Sequence, residues 1–374
     1  MNLKKITYPS WLPINKRLRG LTPYGAPQIE NVVRLNTNEN PFGLSKKIVK
    51  SMQKNLNQTL ENLNRYPDRD AIALRSKLAE YLNAESKSNN VKLDIENIWA
   101  ANGSNEILQS LFLAFGDRGA IGFIPSYSMH PLIAQAVGAK FHLGKRDKEF
   151  NLDLKSSLLQ IKKVKPALVF LTTPNNPTGQ VLKISEIESL AKAAAKVKAL
   201  LIVDEAYEEF SNELSATTLM QKNRNLVVVR TMSKAFSLAG ARVGYLAAAK
   251  EVVDALQCIR LPYHLSSQTQ SIALTALEYK NELLSQVQLL SKERDRVMAK
   301  LQGYGLKTIP SEANFVLFTG FAGESKKYFE KLLAQKVLAR DVGLAGYLRV
   351  TIGKPAENDL FLKAVEKIQL ELKP

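Results

Sequence analysis

The sequence predicts an α/β protein: a large domain with a mostly parallel sheet covered by helices on both faces, a smaller C-terminal α/β domain, and an N-terminal arm. Three observations predict it. Residues 167–171, 199–203 and 226–229 are short runs, apolar at nearly every position, the pattern of strands covered on both faces. Between the first two, Ile184, Ile187, Leu190, Ala191, Ala194 and Val197 recur at helical spacing, and alternating strand and helix build a parallel sheet. Further on, Leu283, Val287, Leu290, Arg294, Val297 and Leu301 step by fours and threes, one face of a long helix.

Taken in order, residues 1–35 are broken by Pro9, Pro13, Gly20, Pro23, Gly25 and Pro27 and read as an arm that packs on something else. The expected division is an arm and part of the small domain over 1–40, a large ligand-binding domain over 41–270, and a connecting helix with the small domain over 271–374. An apolar stretch at 98–101 precedes a helical run at 107–115. Tyr66, in Asn64-Arg-Tyr-Pro-Asp68, is placed ahead of the first long helix, and the tail from Glu357 reads as a helix.

Composition narrows the class. Hydrophobic residues are 45% of 374, enough for a sizeable core. A single cysteine, Cys258, excludes an internal disulfide and suits a reducing compartment, so the expected location is cytoplasmic. The first nine residues carry charge but no apolar core of a secretory signal, and no apolar run approaches the roughly 18 residues of a membrane span. The net charge of +17 admits an anionic substrate or a lysine-rich surface. A nucleic-acid partner is not expected, because no zinc spacing or RNA-binding signature accompanies the charge. The three histidines, His130, His142 and His264, lack ligand spacing, so no metal is expected.

Three motifs follow the predicted strands, where open α/β sheets bind ligands: Asn175-Asn-Pro-Thr-Gly179, Asp204-Glu-Ala-Tyr207, and Thr231-Met-Ser-Lys-Ala-Phe-Ser-Leu-Ala-Gly-Ala-Arg242. Together they offer an amine (Lys234), a hydroxyl and guanidinium for a phosphate (Ser233, Arg242), a carboxylate for a ring nitrogen (Asp204), and a phenol and amide for a ring oxygen (Tyr207, Asn176). That is the equipment for holding pyridoxal phosphate as a lysine Schiff base. The alternative for Asp204 is an N-cap for the following helix. The Gly103-Ser-Asn105 turn is a helix N-terminus suited to a phosphate, or simply a capped helix start. Tyr127 is a ring-stacking candidate or a packing residue, and Tyr66 a phosphate donor or a turn residue.

These residues resemble the fold-type-I pyridoxal-phosphate-dependent aminotransferases, in particular the histidinol-phosphate branch, and the likeness covers nearly the whole chain. It runs from Leu21-Thr-Pro-Tyr-Gly25 and Arg34-Leu-Asn-Thr-Asn-Glu-Asn-Pro-Phe-Gly43 to Arg349-Val-Thr-Ile-Gly353. The resemblance implies that Lys234 carries the cofactor and shuttles a proton, and that Asp204 pairs with the ring nitrogen. It implies that Tyr207 and Asn176 bind the ring oxygen and Tyr127 stacks on the ring. It also implies that Thr231, Ser233, Arg242 and the turn at Gly103, Ser104 and Asn105 hold the phosphate, with Tyr66 reaching in from the second subunit of a homodimer. Tyr24, Asn40, Arg340 and Arg349 become the substrate residues. The implied substrates are histidinol phosphate with 2-oxoglutarate, and imidazole-acetol phosphate with glutamate, in histidine biosynthesis. Arg340 reads alternatively as a surface ion pair with Asp341. Asn105, where many relatives carry aspartate, and His264, in a segment often read Pro-Tyr-Pro, depart from the pattern, and His264 bears on substrate selection if on anything. The rival readings are an aromatic or broad-range amino acid aminotransferase, a decarboxylase of a phosphorylated amino acid, and a cofactor-sensing DNA-binding regulator. The arm is too short and too broken to serve that last reading as a DNA-reading module.

Overall fold

The computed structural model describes residues 7–23, 25–85 and 92–372. A short strand β1 (Val33–Arg34) leads into helices α1 (Lys46–Leu60) and α2 (Ile72–Glu85). The sheet of the large domain then forms from β2 (Ile98–Ala101), β3 (Ala120–Ile124), β4 (Phe141–Lys145), β5 (Leu168–Thr172), β6 (Leu200–Asp204), β7 (Leu226–Thr231) and β8 (Gly244–Ala247). Interleaved are α3 (Ser104–Phe115), α4 (Met129–Val137), α5 (Leu154–Val164) and α6 (Ile184–Lys196). The strand order is β2-β8-β7-β6-β5-β3-β4. Only β8 runs against its neighbours, antiparallel to both β2 and β7.

The three apolar runs of the sequence are β5, β6 and β7, and they are central for a physical reason. Leu168 and Phe170 of β5, Ile202 of β6, and Val227 and Val229 of β7 pack into one core with α3. Their alternates Val169, Leu171, Leu201, Val203, Leu226 and Val228 pack into another with Ile187, Leu190 and Ala194 of α6. Side chains of a strand alternate faces, so a strand covered on both sides must be apolar at every position.

After the sheet come α7 (Lys250–Ile259), α8 (Ser267–Glu278) and the 24-residue α9 (Lys280–Gly303). The buried face of α9 is Leu283, Val287, Leu290, Arg294, Val297 and Leu301, the stripe expected from its spacing. Arg294 sits in that stripe because its guanidinium donates to the Ala313 carbonyl at 3.4 Å and pairs with Asp295 at 2.9 Å. The remaining elements are β9 (Lys307–Thr308), β10 (Phe315–Thr319), α10 (Ser325–Ala334), β11 (Val337–Leu338), β12 (Tyr347–Thr351) and α11 (Pro355–Leu372). Strands β12, β10 and β9 form a small antiparallel sheet. Strand β1 pairs in parallel with β11, so the chain start is tied to the C-terminal region.

One expectation is corrected. Tyr66 does not precede the first long helix, since the 15-residue α1 lies before it. That helix escaped notice because its apolar face is thin, with only Ile48 and Met52 buried. Among the described residues no helix is long and apolar enough to cross a membrane.

Candidate active site

The carboxyl ends of the parallel strands converge on a cavity of about 850 Å³. Ser104, Asn105, Tyr127, Asn176, Asp204, Tyr207, Thr231, Ser233, Lys234, Arg242, Arg340 and Arg349 all line it. Asp204 is the last residue of β6 and Thr231 the last of β7, so backbone pairing alone puts the carboxylate beside the lysine-bearing turn.

Lys234 enters the cavity from that turn, and its Nζ donates to the Thr37 carbonyl at 3.1 Å. The turn is built by Thr231, whose Oγ1 accepts from Ser233 N at 3.2 Å and donates to Ser233 Oγ at 3.0 Å. Burial pushes the Lys234 amine down from the usual 10.5 to about 8, with the like charge of Arg349 adding to it. An amine so placed is available as nucleophile and base near neutrality. A stability consequence follows. Between about pH 8 and 10.5 the unfolded chain binds the Lys234 proton and the native cofactor-free protein does not. Stability therefore rises with pH across that window relative to Lys234→Met. Denaturation of both cofactor-free proteins at pH 7.5 and 10 measures the difference; equal slopes would refute the lowered amine.

Asp204 is 2% exposed. Its Oδ2 lies 3.2 Å from His130 Nε2, and its Oδ1 accepts from Ala206 N at 3.2 Å. The N-cap alternative therefore reduces to this single local bond, since only a three-residue 3₁₀ turn, Glu208–Phe210, follows. His130, on α4, is 2% exposed, and the sequence carries no metal spacing around it. Its role as the partner of Asp204 has no local signature. Beneath the same segment, the buried Arg230 pairs with Glu205 at 2.8 Å, Glu85 at 3.1 Å and Glu209 at 3.4 Å. Desolvation and neighbouring carboxylates push Glu208 up to about 10.

Gly103 ends the loop before α3 with φ +87°, and no side chain caps the helix. A Cβ on Gly103 would come within 2.6 Å of Arg242 Nη2, so the glycine lets the guanidinium lie against the turn. Gly244, in β8, belongs to none of the sequence motifs, yet a Cβ there would run into the backbone of Gly103 and Ser104. A glycine within a strand is the signal of such close approach. Tyr127 donates to Asn105 Oδ1 at 3.2 Å and stands edge-on to His130.

Arg349 Nη1 donates to Asn176 Oδ1 at 2.6 Å, and the Asn176 amide reaches the Tyr207 hydroxyl at 3.5 Å. Arg340 pairs through its backbone with Arg349, at 2.8 and 2.9 Å, which sets the two guanidinium-bearing residues side by side. Among the described residues no ion pair joins Arg340 to Asp341, whose Oδ1 accepts from Gly343 N instead. Asn40 lines a neighbouring cavity of about 760 Å³ that shares Glu39, Ser233 and Ala239 with the first. Tyr66 is 78% exposed and stacked on Tyr263 at 4.3 Å, off the cavity wall of its own chain. Tyr24 lies outside the described residues. The His264 ring bonds to the Ala100 carbonyl at 2.8 Å and stacks on Trp99, which ties it to β2 and keeps it off the cavity wall.

A weakly basic amine, a buried carboxylate, a helix start flanked by hydroxyl and guanidinium, and two further arginines suit an aromatic aldehyde phosphate together with an anionic substrate. Residues 30–365 match the family described as aminotransferase class I and II. The chain belongs to that family. Among relatives of this aminotransferase, the histidinol-phosphate aminotransferase of Mycolicibacterium smegmatis is 48% identical over 378 residues, covering 100% of the chain and 98% of that protein. A crystal structure of the Sinorhizobium meliloti histidinol-phosphate aminotransferase in complex with pyridoxal-5'-phosphate superposes with a TM-score of 0.81 at 22% identity, covering 91% of each chain. The L-threonine-O-3-phosphate decarboxylase of Porphyromonas gingivalis gives 0.75 at 23% identity, over 91% of this chain and 100% of that one. Likeness at such low identity establishes the fold alone.

Proposed function

We infer that the chain is a pyridoxal-phosphate-dependent transaminase that interconverts L-histidinol phosphate and 2-oxoglutarate with imidazole-acetol phosphate and L-glutamate, in histidine biosynthesis. The observation that carries this reading is the 48% identity to a histidinol-phosphate aminotransferase along the whole chain.

The residues fit pyridoxal phosphate. Lys234 offers a primary amine of lowered basicity, and Asp204 a buried carboxylate that a cationic ring nitrogen would satisfy. Gly103 leaves the space that a phosphate-binding guanidinium at Arg242 requires. Lys234 would hold the cofactor covalently and Asp204 its ring nitrogen. Tyr207 and Asn176 would hold its ring oxygen, and Tyr127 would lie against the ring. Gly103, Ser104, Asn105, Thr231, Ser233 and Arg242 would take its phosphate. Bound there, the cofactor supplies an electron-withdrawing ring that accepts the charge left when a proton leaves the amine-bearing carbon.

Lys234 Nζ takes that proton from histidinol phosphate in one half of the cycle and from glutamate in the reverse of the other. Arg340 and Arg349, with Tyr24, hold the substrate phosphate as paired forks and a phenol, and Arg349 accepts the carboxylate of glutamate. Asn40 contributes to substrate binding from the adjoining cavity. In the homodimer, Tyr66 reaches the partner's phosphate site. Its 78% exposure, and that of Leu261 at 77%, support a surface completed by a second copy. The division at residues 40 and 270 and a cytoplasmic location belong to the same reading.

Arg340→Ala raises KM for histidinol phosphate about 10- to 100-fold, the loss of a charged hydrogen bond, while KM for glutamate moves less than about threefold. Equal effects on both would remove the substrate assignment. Purified holoenzyme assayed with 2-oxoglutarate against a substrate panel gives the highest kcat/KM with histidinol phosphate. A preference for aromatic amino acids, or release of carbon dioxide from a phosphorylated amino acid, would overturn the reading.

A further inference from the structure

We propose that Asn38 is a positioning residue that fixes the hydroxyl of Tyr207 and so tunes the cofactor's ring oxygen; this rests on the reading of Tyr207 given above. Asn38 is 1% exposed and sits at φ +54°, a left-handed conformation that asparagine tolerates better than most residues. Its backbone N–H and carbonyl and both ends of its side-chain amide are hydrogen-bonded. Its N–H donates to Thr351 Oγ1 at 2.9 Å, and its Oδ1 accepts from the same hydroxyl at 3.0 Å. Its carbonyl accepts from Asn314 Nδ2 at 3.2 Å, and its Nδ2 donates to Tyr207 Oη at 2.9 Å.

The Thr351 contact decides the chemistry. A threonine hydroxyl that accepts from the Asn38 N–H keeps its proton for Oδ1, the arrangement in which that end of the amide is the oxygen. The other end is then a donor, and it points at Tyr207. The phenol oxygen acts as an acceptor towards Asn38, so its own O–H is directed away from that side. Tyr207 lines the cavity, and an acceptor there receives a donor whose direction Asn38 has set. The second amide on Tyr207, Asn176, is longer at 3.5 Å, so Asn38 makes the tighter of these two bonds. Two charges also face this phenol: Lys234 Nζ, 5.9 Å from the ring centroid, and Arg349, which acts through Asn176.

A merely structural role would predict lost stability and nothing more. A positioning role predicts a spectroscopic change. A hydrogen bond donated to the ring oxygen draws electron density from the cofactor linkage and lowers its proton affinity. Loosening Tyr207 therefore raises the pH midpoint of the holoenzyme's visible absorbance. Asn38→Gly keeps the left-handed backbone and removes only the side chain. The midpoint rises by about 0.4 to 1 pH unit, the worth of one hydrogen bond. The affinity of the cofactor-free protein for pyridoxal phosphate falls about 2.5- to 10-fold. Asn38→Ser, too short to reach Tyr207, serves the same purpose if the glycine variant yields no holoenzyme.

Tyr207→Phe shifts the midpoint in the same direction, and combining it with the Asn38 change adds nothing further. An Asn38 variant with a lowered melting temperature but an unmoved midpoint overturns the proposal. So does an Asn38 shift that persists undiminished in Tyr207→Phe. If Tyr207→Phe itself leaves the midpoint in place, the ring-oxygen reading is wrong and the proposal fails with it, a result distinct from the other two.

Discussion

Lys234→Ala abolishes transamination, with kcat falling at least about 10⁴-fold, the upper range for removal of a positioned acid–base group. The loss is larger if the covalent role is counted as well. The fold survives, because among the described residues the only hydrogen bond the side chain makes is to the Thr37 carbonyl, at the edge of a cavity already present. Removing a desolvated amine that is depressed to about 8 relieves an unfavourable burial. The measurements are single-turnover rates, melting temperature, and borohydride reduction followed by peptide mapping. A variant retaining wild-type turnover, or cofactor label on a different lysine, would end the assignment of the site.

Asp204→Asn carries the second-largest effect. The amide has the shape of the carboxylate and can keep contact with His130 and the Ala206 N–H, but it cannot offset a cationic ring. With Asp204 at 2% exposure, solvent does not supply the missing charge. The expected loss is roughly 10²- to 10³-fold in kcat, comparable to deleting one preorganised electrostatic group. KM for either substrate changes little, because the proposed reading gives both anions to the arginines, which the substitution leaves in place. A kcat within about threefold of wild type would show that the carboxylate has no catalytic part.

The sequence was legible where a physical rule is local. The strands β5, β6 and β7 were readable because burial on both faces forces an unbroken apolar run. The buried face of α9 was readable because its spacing repeats over about five turns, from Leu283 to Leu301. The motif residues after those strands were readable because strand ends converge in an open sheet. What could not be read depends on pieces far apart in the chain. Asn38 meets Tyr207 across 169 positions and Thr351 across 313. His130 meets Asp204 only because α4 packs against the sheet at one angle. Gly244 is small because antiparallel β8 passes under the 103–104 backbone, and strand order is not written in periodicity. The 15-residue α1, with two buried residues, had too little contrast to be read from pattern alone.

The parallel pairing of Val33 and Arg34 with Val337 and Leu338 has a consequence for synthesis. A chain emerging from the ribosome displays residues 33–38 some 300 positions before their partners. Until then Arg349 is missing from the cavity wall and Asn38 lacks the hydroxyl that orients it. Closing so long a loop is slow compared with local helix formation. Assembly of that side of the cavity is thereby deferred until β11 and β12 have been made.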